Sequence, residues 1–216
     1  MNILVVGANG QIGKHLVKYI QESGEHQAKA MIRKQEQEQY FKDLGAETAL
    51  VDLEGSIDDI AKAVEGVDAI VFTAGSGPHT GPDKTILIDL DGAVKTIEAA
   101  KQVGVKRFVM VSSFDTSREA VLEAPDSFSP YVAAKLYADE WLLNTDLDYT
   151  IVHPGRLTND SGTGKVQVAE KVERGSIPRE DVAKVLLATV DNDSLIGKRF
   201  QLVEGDTAVE DALKSL

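Results

Sequence analysis

The stretch Ile3-Leu4-Val5-Val6-Gly7-Ala8-Asn9-Gly10-Gln11-Ile12-Gly13 decides how the rest of the chain is read. Ile3 to Val6 contains no polar residue, the pattern of a short strand covered on both faces. A GxxGxxG follows, and then Ile12, Leu16, Val17 and Ile20 recur at helical spacing as far as Gly24. Strand, glycine turn and helix in that order form the setting in which such a motif carries chemistry. The tight turn needs a residue without Cβ, a pyrophosphate needs close approach of bare main chain, and the last glycine lets helix and strand pack. The helix then opens with unpaired N–H groups and the positive end of its dipole turned toward the phosphates. The stretch predicts a dinucleotide site at the first strand-to-helix turn.

The same alternation continues outward. Strands are predicted at Ala28–Ile32, Thr48–Val51, Ala69–Phe72, Phe108–Val111, Tyr149–Val152 and Phe200–Val203. Helices are predicted at Gln35–Leu44, around Ile57–Val64, from about Lys84 to Val103, from Ser129 to about Asn144, at Asp181–Val190 and at Thr207–Leu216. Ser129-Pro130 reads as a serine cap followed by a proline suited to the first turn. Gly75, Gly77, Pro78 and Gly81 break the loop after the fourth strand. The pattern predicts an α/β chain: one doubly wound, mostly parallel sheet of about seven strands, helices on both faces, and a single domain over residues 1–216. Ser113–Phe128 and Leu157–Ile177 carry the weakest periodicity, and both follow the carboxyl ends of strands, where ligands sit in such sheets.

Composition narrows the function. The chain has 216 residues, 23 Lys plus Arg against 35 Asp plus Glu, a formal charge of −12, 43% hydrophobic and 27% charged residues. These values are those of a globular protein and exclude a disordered or fibrous chain. The acidic balance argues against nucleic-acid and anionic-membrane partners, since both are polyanions. No apolar run approaches the roughly 20 residues of a membrane span, and the first residues lack the basic region and cleavage site of a signal peptide. There is no cysteine, which removes disulfides, thiolate catalysis and cysteine-ligated zinc, and suits a cytoplasmic location. His15, His26, His79 and His153 fall into no metal-ligand spacing, so no metal is expected.

Two further features specify chemistry. Arg33-Lys34 ends the second strand with no acid beside it. A cation there pairs with a 2′-phosphate, whereas a carboxylate would accept from a ribose 2′-hydroxyl, so NADP(H) is favoured over NAD(H). Asp52-Leu53 closes the third strand in a position suited to the adenine edge. Tyr131-Val132-Ala133-Ala134-Lys135 is a YxxxK, and positions four apart share a helix face, so the phenol and the ammonium can meet one ligand. A nearby cation favours a tyrosinate, and a tyrosine so tuned can exchange a proton with a carbonyl or alcohol oxygen. Trp141 reads as core. Asp139-Glu140 and Lys84 read as solvated surface.

Together with Ala74-Gly75 after the fourth strand, Ser112-Ser113 after the fifth and His153-Pro154-Gly155 after the sixth, this order resembles the short-chain dehydrogenase/reductase superfamily over the whole chain. More narrowly, it is similar to the small atypical members related to the epimerase/dehydratase and NAD(P)H-binding reductase groups. Ile177-Pro178-Arg179-Glu180-Asp181-Val182-Ala183, followed by a strand, Glu204-Gly205-Asp206 and a last helix, resembles the end of that group.

The resemblance implies a Rossmann-type sheet and a set of roles. Gly7, Gly10 and Gly13, with the backbone of Asn9, Gln11 and Ile12, would hold the pyrophosphate. Arg33 would take the 2′-phosphate, Asp52 and Leu53 would flank adenine, and Thr73, Ala74 and Gly75 would line the adenosine ribose. Tyr131 would be the acid/base, Lys135 its electrostatic partner reaching the nicotinamide ribose, and Pro154 and Gly155 would border the nicotinamide. The position where such turns commonly carry the catalytic hydroxyl is Phe114 here, which leaves Ser112 and Ser113, with Ser113 preferred.

The function so implied is an NADP(H)-dependent oxidoreductase acting on a small organic substrate, with hydride passing between nicotinamide and substrate carbon. The alternatives are a quinone, flavin or tetrapyrrole reductase in which Tyr131 has no chemical role, a sugar epimerase or dehydratase, and a non-catalytic NADP-sensing regulator. Only Leu157–Ile177 and a short tail are left to build a substrate region, which disfavours a bulky nucleotide-sugar. A homodimer through the two long helices follows family habit.

Overall fold

The computed structural model of the chain describes residues 1–77 and 79–216; Pro78, expected as a loop breaker, lies outside the described residues. The first strand, β1 (Asn2–Val6), alternates its side chains between two cores: Ile3 and Val5 enter one, Leu4 and Val6 the other. A strand whose two faces are both covered has no use for polar residues, and none occurs from Ile3 to Val6. Helix α1 (Gln11–Ser23) buries Ile12, Leu16, Val17 and Ile20 and ends at Gly24, which is left-handed. Next come β2 (Gln27–Ile32), a 3₁₀ turn at Gln35–Gln37 leading into α2 (Glu38–Asp43), β3 (Glu47–Leu50), α3 (Ile57–Val64) and β4 (Ala69–Phe72).

The predicted long helix begins two residues early and changes pitch. Pro82–Lys84 (α4) runs through a π-helical segment, Thr85–Leu90, into α5 (Asp91–Val103). Then follow β5 (Arg107–Val111), α6 (Arg118–Glu123), α7 (Ser129–Leu143), β6 (Asp148–Pro154), β7 (Arg156–Thr158), β8 (Lys165–Ala169), β9 (Ser176–Pro178), α8 (Arg179–Val190), β10 (Lys198–Glu204), β11 (Thr207–Ala208) and α9 (Val209–Leu213).

The large sheet has the order β11-β8-β10-β6-β5-β4-β1-β2-β3. Every pair from β10 to β3 is parallel, and β8 adds antiparallel to β10 and to β11. The seven parallel strands are those the sequence predicts, in the order of a doubly wound sheet with its switch point between β1 and β4. Helices α1, α8 and α9 cover one face, and α3, α5 and α7 the other. Among the described residues no helix is long and apolar enough to cross a membrane.

Several expectations change. Leu157–Ile177 is not patternless: Val166 and Val168 point inward between exposed Lys165 and Gln167, a half-buried strand, while β7 and β9 form a small parallel pair of their own. Ser113–Phe128 contains α6. The terminal helix is shorter than predicted, because Thr207–Ala208 pairs with β8 first. Ser129 does not cap α7; Phe128 occupies the cap, and the Ser129 hydroxyl donates to the Val121 carbonyl at 3.0 Å, tying α7 to α6. Trp141 is not core but 48% exposed, donating from Nε1 to Glu98 at 2.9 Å.

Candidate active site

The glycine turn after β1 is built as its sequence requires. Gly7 has φ +82°, and a Cβ there would stand 2.6 Å from the Ala74 Cα. At Gly13 a Cβ would lie 2.7 Å from the Ala8 Cα. Only hydrogen fits either place, so the turn presents bare main chain. Gly10 donates to the Gly7 carbonyl at 2.9 Å and occupies the cap of α1, which has no side-chain cap and no acid in its first turn. That end of α1 keeps its N–H groups and its partial positive charge for an anion. Thr73 locks the neighbouring strand end to the turn, its N–H and hydroxyl donating to the Val6 carbonyl at 2.9 and 3.0 Å. Ala74 is buried against Gly7, and Gly75 is exposed.

On the other side of β1 the cation pair stands at the surface. Arg33 and Lys34 are exposed; Gln37 Oε1 accepts from both backbone N–H groups at 3.1 Å and fixes the turn that carries them. Lys34 reaches Glu36, while the Arg33 guanidinium forms no ion pair among the described residues. Asp52 lies two residues beyond β3, exposed, its carboxylate accepting from the Glu54 N–H at 3.0 Å, with Leu53 half-buried beside Gly92.

Across the switch point, α7 brings Tyr131 and Lys135 onto one face. Tyr131 is half-buried, stacked obliquely on Phe128 with ring centroids 5.1 Å apart. Lys135 is buried; its Nζ lies 5.8 Å from the Tyr131 ring centroid, 3.4 Å from the Val111 carbonyl at the end of β5, and 3.4 Å from Asp89 Oδ1. Asp89, on the π-helical segment, is completely buried; its Oδ2 accepts from the Ser76 N–H at 2.9 Å. Burial works against the Lys135 charge, but Tyr131, Asp89 and Asp139 outweigh it and hold the ammonium above its ordinary value.

Asp139 is the residue the sequence reading misplaces. It is 3% exposed, not solvated surface, and its Oδ2 accepts from the hydroxyls of Ser112 at 2.8 Å and Thr116 at 2.7 Å. Burial pushes the carboxyl up, opposed by His153 and by the two hydroxyls. The spacing 131, 135, 139 was the available signal: three polar side chains in steps of four on a helix otherwise rich in buried alanine and leucine. Ser112 therefore has its hydroxyl committed inside the protein, while Ser113 sits half-exposed in the turn, its carbonyl 2.7 Å from His153 Nδ1. Pro154 and Gly155 are both buried, with Gly155 donating to Leu202 at 2.8 Å and closing against Gly175 and Val203. That glycine serves close packing between β6, β10 and the segment before β9.

Gly7, Thr73, Ala74, Val111, Ser112, Ser113, Tyr131 and Lys135 thus gather where β1, β4 and β5 end, while Arg33, Asp52 and Leu53 lie outward along β2 and β3. A doubly wound parallel sheet, a glycine cradle at its switch point and a buried lysine under a tyrosine define a Rossmann-type dinucleotide-binding protein. The comparisons with known proteins agree. A family model described as NAD(P)H-binding matches residues 7–193, and the chain belongs to that family.

It is 50% identical over 217 residues, covering 100% of both chains, to a Bacillus subtilis protein named uncharacterized sugar epimerase YhfK. A solved structure from Bacillus halodurans, described provisionally as an NAD-dependent epimerase/dehydratase, shares 44% identity at a TM-score of 0.94 over 100% of both chains. The oxidoreductase ylbE from Lactococcus lactis is 34% identical, with a TM-score of 0.90 over 100% of this chain and 96% of that one.

Proposed function

We propose that the protein is a cytoplasmic NADP(H)-dependent oxidoreductase acting on a small organic substrate, with Tyr131 handling the proton. One observation carries this reading: a cradle that a Cβ would fill and a half-buried tyrosine backed by a buried lysine share the carboxyl edge of the sheet. The cradle suits a dinucleotide, because α1 begins without a side-chain cap and without an acid.

Gly7, Gly10 and Gly13, with the main chain of Asn9, Gln11 and Ile12, would hold the pyrophosphate. Arg33 would pair with a 2′-phosphate, Asp52 and Leu53 would meet adenine, and Thr73, Ala74 and Gly75 would follow the ribose. Pro154 and Gly155 would support the nicotinamide end from below. A bound nicotinamide supplies or accepts hydride. Tyr131 gives or takes a proton at the substrate oxygen, Lys135 keeps positive charge beside it, and Ser113 orients that oxygen.

Calorimetry with NADPH and NADH tests the cofactor half. NADPH is expected to bind about tenfold or more tightly than NADH, the value of a charge-assisted contact. Arg33→Asp removes that preference; equal losses for both coenzymes would overturn the assignment of Arg33. Tyr131→Phe tests the chemical half, with an expected loss of about a hundredfold in turnover. Unchanged turnover would mean hydride transfer without Tyr131.

A second reading, sugar epimerisation, is favoured by the name of the Bacillus subtilis relative. An oxidoreductase consumes reduced coenzyme in step with product, whereas an epimerase returns the hydride and leaves the coenzyme absorbance unchanged while the sugar inverts.

A further inference from the structure

Apart from helping to hold the Lys135 charge, Asp139 has no part in the roles described so far, yet it accepts two side-chain hydroxyls beside them. It stands four residues beyond Lys135 and eight beyond Tyr131, on the same face of α7. It is 3% exposed, and its Oδ2 takes hydroxyl bonds from both ends of the turn after β5, Ser112 at 2.8 Å and Thr116 at 2.7 Å. Oδ1 is buried with no partner among the described residues. Between those two anchors the turn is held from two other directions. His153, at the end of β6, meets the Ser113 carbonyl at 2.7 Å, and Gln201, on β10, donates to the Phe114 carbonyl at 2.8 Å.

The Ser112–Thr116 turn is thus held by three elements, α7 at both hydroxyls and β6 and β10 at the carbonyls between them, and only α7 also carries the tyrosine. Burying a carboxyl with one oxygen left without a hydrogen bond costs free energy that a purely packing role would not demand.

We infer that Asp139 is a positioning residue: it pins the Ser112–Thr116 turn to the helix bearing Tyr131, and so fixes Ser113 relative to the phenol. The inference rests on the oxidoreductase reading, since it assigns Ser113 and Tyr131 to one substrate oxygen. Its reach is local, because the phosphate turn belongs to β1 and α1 and touches neither Asp139 nor its partners. Loss of the anchor therefore acts on turnover and not on coenzyme affinity. A displacement of about an ångström between reacting groups costs up to about a hundredfold in rate.

Asp139→Asn keeps an oxygen acceptor in place, whereas Asp139→Leu keeps the branched shape and removes it. NADPH affinity by fluorescence and kcat and KM with phenanthrenequinone and nitrobenzaldehyde are measured for both, and for the near-isosteric Thr116→Val. The expected result is a kcat loss of about threefold for Asn, about fiftyfold or more for Leu and about fivefold for Thr116→Val, with NADPH affinity within about twofold throughout. Equal kcat losses for Asn and Leu, or a fall in NADPH affinity that matches the fall in kcat, would overturn the inference.

A wild type that turns over neither probe counts against the oxidoreductase reading alone. The anchor is then read from backbone hydrogen exchange in NADPH-bound protein. Amides 113–117 should exchange about tenfold faster in Asp139→Leu than in Asp139→Asn, and equal exchange in the two would refute it.

Discussion

At Gly7 one methyl group decides the site. The added carbon of Gly7→Ala would meet the Ala74 backbone at 2.6 Å, at a φ of +82° that alanine resists. Backbone strain of this kind costs about 1–3 kcal/mol, and relief by shifting β4 would open the phosphate cradle. Gly7→Ala should lower the melting temperature and abolish NADPH binding in the same preparation, as scanning calorimetry and titration would show. Lys135 offers the complementary case, being buried with Asp89 and Asp139, both of them buried acids, beside it. Lys135→Met leaves two buried acids without their cation, at a cost of about 3–5 kcal/mol, and Asp89→Asn in the same chain should recover part of it. Urea unfolding of the two variants measures both numbers. Tyr131 and Lys135 were legible from their spacing, because a helix repeats its face every four residues. Asp139 obeys the same spacing, but what makes it more than a surface acid is two hydroxyls distant in sequence by 27 and 23 positions. No local pattern announces a partner on another strand.

Among the elements, α8 shows how a motif known only by resemblance acquires a physical reason. Its first turn carries Arg179, Glu180 and Asp181, and both acids turn back onto the loop before β8. Asp181 is completely buried and accepts from the N–H groups of Thr163 and Gly164 at 2.7 and 2.9 Å. Glu180 accepts from Gly162 at 2.7 Å and from the Tyr19 hydroxyl of α1 at 2.6 Å. The Tyr19 bond, the Gly162 N–H and Lys184 hold the Glu180 carboxyl down to about 2, against an ordinary value of 4.5. A depressed carboxylate stabilises the fold above its ordinary pKa, and that contribution is lost as pH falls toward 2. Tyr19→Phe removes the leading cause, so the Glu180 contribution should vanish at higher pH. Acid unfolding followed by circular dichroism is expected to begin at higher pH in the variant, and urea unfolding should show the stability difference largest near neutrality and shrinking as pH falls toward 2. The β8 strand teaches a related lesson: its alternation, exposed Lys165 and Gln167 around buried Val166 and Val168, is plain once its partner β10 is known. In isolation it was too short to separate from loop. The Ser129 hydroxyl misled for a similar reason, since its bond goes to Val121 on α6 and not to the helix it opens.

For the molecule as a whole, the two edges of the sheet do different work. The carboxyl edge holds the cradle, the tyrosine and the cation, while the amino edge is tied together by one buried arginine. Arg107, buried there, donates to the carbonyls of Val190, Asp148 and Thr189 and to the Thr150 hydroxyl at 2.6–2.9 Å, joining β5, β6 and the end of α8. A cleft of about 560 Å³ opens at this edge, lined by Gly66, Gly104 and Asp191 among others, but the Arg107 donors beside it are already engaged within the fold. Arg107→Met should cost about 3 kcal/mol of stability through the acceptors it abandons, and leave NADPH affinity unchanged; paired unfolding and binding measurements check both halves. The sequence by itself determined the seven parallel strands and the glycine turn, because a fully apolar run and a Cβ-free corner are local demands that a short window records. It also determined that Tyr131 and Lys135 share a face. Only the tertiary structure decided what surrounds them: Asp89 beneath the lysine, Asp139 across from the serine turn, and Gly155 wedged against Gly175. Burial turns ordinary surface residues into committed ones, and burial depends on neighbours that arrive from everywhere else in the chain.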